Sequence, residues 1–102
     1  MTIQTALEAL STDANRWDDV SGALGEARDA ASALTLPPST FSFAGGDAAA
    51  AYEAVRAHVQ LLLDGGVQET AGAATALRQV RRAYEETDDA ARAGLSDMWV
   101  PR

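Results

Sequence analysis

The sequence predicts an all-α protein: two long antiparallel helices forming a helix-turn-helix hairpin that assembles, as a dimer, into a four-helix bundle. Three observations predict it. Apolar residues recur at heptad spacing over two long stretches, and one short segment rich in proline and glycine separates them. The second stretch is apolar on more sides than one facing helix can cover.

The first helix is expected over residues 3–34. Ile3, Leu10, Trp17, Leu24 and Ala31 are seven apart. Val20, Ala27 and Leu34 follow members of that series by three, and Leu7 and Ala14 follow by four. This is an a/d stripe with a partial e flank, the pattern of a bundle helix. Asp13 is its clear violation. Thr2 can cap the start, or Thr5 with Glu8 can form a capping box.

Residues 35–46 (TLPPSTFSFAGG) read as the turn. Pro37 and Pro38 cannot continue a helix, and Gly45 and Gly46 supply backbone angles other residues avoid. Phe41 and Phe43 read as a plug closing the hairpin's end, against a partner-binding knob as the other reading.

A second helix is expected over 47–93, with Asp47 as N-cap and Gly94 just past its end. Its stripe runs from Tyr52, Val55, Val59, Leu62 and Leu63 through Gly66, Ala73, Leu77, Val80 and Tyr84 to Ala91. At Gly65–Gly66 either the helix kinks or the facing helix comes unusually close, since each glycine costs about 1 kcal/mol relative to alanine in a helix interior. A continuous or gently kinked helix is expected. The hairpin thus occupies 1–94, and 95–102 read as a flexible C-terminal tail.

Around Val55–Leu63 a single facing helix leaves apolar residues uncovered. A partner interface is therefore expected at Val55, Val59, Leu62, Leu63, Trp17 and Leu24, occupied by a helical protein in a homo- or heterodimer. The alternative is a monomer whose tail or loop folds over the patch.

Composition narrows the function classes. The 102 residues make one domain, with eight arginines, no lysine, fifteen acidic residues and a net charge of −7. Such a chain repels phosphate backbones and anionic membranes, so no nucleic-acid partner is expected. The longest run of large aliphatic residues, Leu61–Leu63, is far short of the roughly 20 apolar residues of a membrane span. The start, MTIQTALEAL, lacks the basic and apolar regions of a Sec or Tat signal peptide. There is no cysteine, and the lone His58 has no Asp, Glu or Cys three or four residues away. The acidic doublets Asp18–Asp19, Glu85–Glu86 and Asp88–Asp89 are neighbours on a helix rather than groups converging on a cleft. Neither GG pair precedes a Lys-Ser/Thr, so no phosphate loop is present. No enzyme activity, metal or cofactor is expected.

Toward the end of the second helix stands Tyr84-Glu85-Glu86-Thr87-Asp88. It resembles the Tyr-x-x-x-Asp/Glu export signal of actinobacterial type VII (ESX) secretion substrates. The stretch from FSFAGGDAAAAYEAV through LRQVRRAYEETDDAARAGL is similar to EspC-like excreted proteins, relatives of the small Trp-x-Gly substrates. The hallmark Trp-x-Gly belongs in the turn. Here the turn carries Phe41-Ser42-Phe43-Ala44-Gly45-Gly46, and Trp17 lies in the first helix, which favours the EspC-like branch. The resemblance implies a non-enzymatic secreted substrate or co-secreted helical partner, made in the cytoplasm and exported without a Sec or Tat signal. Tyr84 and Asp88 would be the export signal. Leu95, Met98, Trp99 and Val100 would form a recognition tail for a secretion ATPase, or else dock back onto the bundle. The alternative function is an intracellular chaperone or adaptor that pairs with the helical targeting domain of a larger type VII effector or toxin.

Overall fold

A computed structural model describes residues 2–37 and 46–98, with side chains through residue 94. It contains two helices and, among the described residues, no strand: α1 spans Ile3–Ser32 and α2 spans Gly46–Met98. They pack against each other along the length of α1 as an antiparallel hairpin.

Local chemistry explains most boundaries. Thr2 caps α1, its hydroxyl accepting from the Thr5 backbone N–H at 3.1 Å. The Thr5–Glu8 box does not form, and Glu8 instead accepts from the Gln4 amide one turn back. At the other end α1 stops at Ser32, two residues short of the expected Leu34. Ala33 and Leu34 still donate backward, to Asp29, Ala30 and Ala31, before Pro37 precludes further helix.

α2 starts one residue earlier than expected, so Asp47 falls in its first turn rather than at the cap. It runs unbroken through Gly65–Gly66. There the facing helix does come close, because a Cβ on Gly66 would lie 3.1 Å from Leu24 Cδ1. Ser21 uses the same close approach to donate across the seam to the Val67 carbonyl at 2.9 Å.

Gly94 does not end α2, which continues to Met98. The expected boundary at Ala93 and the flexible tail from residue 95 are corrected to that extent. A single glycine weakens a helix by about 1 kcal/mol without stopping it, and no proline follows before Pro101. Phe41 and Phe43, and with them the plug reading, lie outside the described residues, as do Trp99 and Val100.

The seam is thin. Among the described residues Leu7, Ala14, Ala31 and Ala74 are the buried apolar ones, and no large side chain is fully buried. The extents are 93 × 17 × 16 Å and the radius of gyration is 24.4 Å, against about 13 Å for a compact chain of this length. α2 outruns α1 at the end carrying Tyr84. Ile3 lies beside Val80 and Tyr84, leaving the last turns of α2 without a facing helix.

No helix is long and apolar enough to cross a membrane among the described residues.

Candidate functional site

The heptad pattern of α1 left two lines able to face α2: the e flank of Leu7 and Ala14, or the d line of Asp13, Val20, Ala27 and Leu34. The structure turns the e flank inward. Its seam runs through Leu7, Ala14, Ser21 and Arg28, each buried or half-buried. The d line is left exposed. On α2 the half-buried line passes through Arg56, Leu63, Val67, Thr70, Leu77 and Arg81, with Ala74 fully buried. Val55, Leu62 and Val80 fall beside that line and are exposed.

The hairpin therefore has two unlike long sides. One is closed by polar contacts between the helices. Arg78 donates to Asp18 at 2.5 Å and to Asn15 at 3.0 Å. Arg28 donates to Asp64 at 3.0 Å. Arg81 reaches the Leu7 carbonyl and the Ser11 hydroxyl while holding Glu85. The Asp64 carboxylate, with Asp29 beside it, raises the Arg28 pKa above its usual value. A guanidinium is charged at any working pH. Leu61 stands exposed on this side, beside Ala57, Arg28 and Asp64.

The other side is apolar and open. Near the hairpin's free end, Ile3, Ala6, Leu10, Val80 and Tyr84 line a groove of about 410 Å³. Near the turn, Ala31, Leu34, Tyr52, Val55 and Val59 line a smaller one of about 180 Å³. Between them lie Trp17 and Val20, beside Asp13 and Arg16. Tyr52 anchors the turn end by donating to the Leu34 carbonyl at 2.5 Å.

The expected interface residues divide accordingly. Val55, Val59, Leu62 and Trp17 are exposed, Val55 and Leu62 by more than 60%. Leu24 and Leu63 are half-buried in the hairpin's own seam. Val20, Leu34 and Val80 belong to the open face and were not singled out as interface. Their heptad positions were the available signal.

Tyr84 is 57% exposed and forms one wall of the larger groove. Asp88, one turn on, accepts from Arg92 at 2.9 Å. The two share a helical side at i,i+4 spacing. Leu95 and Met98 lie on the last turns of α2.

Trp99 and Val100, and with them the docking of the tail over the Val55–Leu63 patch, lie outside the described residues.

His58 is exposed, and among the described residues no group of His, Cys, Asp or Glu is placed to hold a metal ion. Comparison with known protein families, curated proteins and solved structures finds no match.

Proposed function

We propose that this protein is a non-enzymatic helical partner that completes a four-helix bundle through its open face and is exported by a type VII secretion system as a substrate or co-secreted partner. The open apolar face carries the reading. A hairpin whose buried residues, among those described, are one leucine and three alanines, while Trp17, Val55 and Leu62 stand in solvent, is half of a bundle. A helical hairpin is the shape that fills the other half.

The export part of the reading draws on the sequence motif. Tyr84 and Asp88 lie one turn apart where α2 passes the end of α1, so a receptor can approach both from one side. The recognition tail would continue from there, through Leu95 and Met98 on the same helix to Trp99 and Val100.

The test is secretion into culture medium, with and without a functional secretion ATPase, of the wild type and of the double variant Tyr84→Ala, Asp88→Asn. Circular dichroism establishes that the variant is helical. The expected result is ATPase-dependent export of the wild type and loss of export of the variant. Normal export of the folded variant rejects the signal assignment. Retention of the wild type in the cell, bound to a larger effector, favours the adaptor function instead.

A further inference from the structure

The open face has an internal symmetry. On α1 four of its large residues fall in pairs about a point between Asp18 and Asp19, Ile3 with Leu34 and Trp17 with Val20, while Leu10 is answered only by Ala27. On α2 the corresponding point lies between Glu69 and Thr70: Val55 pairs with Tyr84 and Val59 with Val80, while Tyr52 and Leu62 fall on Thr87 and the half-buried Leu77. Heptad spacing gives some such pairing on any single helix. The informative fact is that the two points, on different helices, come level with each other. Ser21 is bonded to the Val67 carbonyl. From that contact, two to three residues back along α1 and the same distance forward along α2 lead to Asp18–Asp19 and Glu69–Thr70.

We propose that the face is covered by a second copy of this chain, lying antiparallel, with a two-fold axis crossing both helices at that level. The axis lays α1 on the second copy's α1 and α2 on its α2, each reversed. Ile3 then meets Leu34 of the other copy, Val55 meets Tyr84, and Trp17 meets Val20. An isologous contact needs such self-complementarity, whereas a different partner does not impose it.

Size agrees, and charge agrees except at Glu69. Along α1 the face is about 45 Å long at ~1.5 Å per residue. With a width of 17 Å it presents about 770 Å², close to the ~800 Å² per partner of a stable interface. The interhelical ion pairs occupy the other side. On the open side Asp13 keeps Arg16 within 4.0 Å. Glu69 opposes the association, because beside the axis it approaches its own copy.

The proposal rests on the bundle part of the reading above and not on export, and the purified chain decides it. The chain has no cysteine, so introduced thiols are unique. We expect sedimentation at twice the 10.7 kDa of one chain. Mixing the variants Ile3→Cys and Leu34→Cys should give a disulfide between the two. Glu69→Gln should tighten association severalfold, most at low salt. Sedimentation as a helical monomer up to millimolar concentration overturns the proposal, even if the chain then binds a different hairpin. Preferential linking of Ile3→Cys to itself overturns the antiparallel arrangement. Either failure leaves the secretion assay free to succeed.

Discussion

Along one side of the hairpin the helices are joined by Arg28–Asp64, Arg78–Asp18 and Arg81–Ser11; along the other, Trp17, Val20, Val59 and Leu62 face solvent. The charged side fixes register, because each long arginine has its own acceptor across the seam, but it supplies little net energy. Ion pairs as exposed as Arg78–Asp18 contribute about 0–1 kcal/mol. The apolar side holds the larger unspent driving force at about 25 cal/mol per Å² removed from water. A chain arranged in this way fixes its register with polar contacts and leaves much of its hydrophobic surface open, the surface that the proposed bundle would cover.

The sharpest way to break that comparison is to place a charge on each side. Leu62→Asp on the open face should leave the hairpin folded and weaken association by about 3–5 kcal/mol, since the charge is buried only in the assembly. Leu61→Asp, the neighbour on the charged side, should change neither. Sedimentation and thermal melts of the two variants read the contrast. Equal effects would dissolve the distinction between the sides.

A smaller effect is expected inside the seam. Leu7 is the one large buried residue among those described, and Leu7→Ala should lower stability by about 2 kcal/mol, at the low end for core leucines because it borders the open groove. Thermal unfolding measures it.

The glycine pair sharpens the comparison further. Gly65 has open space where a Cβ would sit, whereas at Gly66 that atom would meet Leu24. Gly65→Ala should raise stability by about 1 kcal/mol through helix propensity alone. Gly66→Ala should gain much less, because Leu24 must move by a few tenths of an ångström. Identical gains would show that the seam does not constrain Gly66. The smallest change is expected for Arg78→Ala, below about 1 kcal/mol and diminishing further in high salt.

The hairpin was legible in the sequence because heptads, Thr2 and the Pro37–Pro38 break all act locally. The seam was not. A reading by hydrophobicity ranks Val20 above Ser21 and Val55 above Arg56, yet Ser21 and Arg56 are the more covered in each pair. Small and polar residues sit between the helices because they permit close approach and find partners there, as Ser21 finds Val67. Several large ones, such as Val20 and Val55, are turned outward. A single sequence records which residues are apolar, not which apolar surface is buried first. Gly94 misled for a related reason: a glycine signals a helix end only when the following chain cannot continue the helix. The exposed apolar residues were recognised where the surplus was local, at Val55, Val59 and Leu62. They were missed where it arose from two distant helices together, as at Ile3 and Val80.

The proportions of the molecule would have a consequence for the export proposed above. At 93 × 17 × 16 Å, the chain measured end-on is two helices across, and two packed helices have nearly the narrowest folded cross-section a polypeptide can present. An aperture that admits such a rod lengthwise excludes a globule of the same mass presented from any direction. Passage would then be gated by orientation instead of by unfolding, and the helix that projects from the rod's free end would be the part to arrive first.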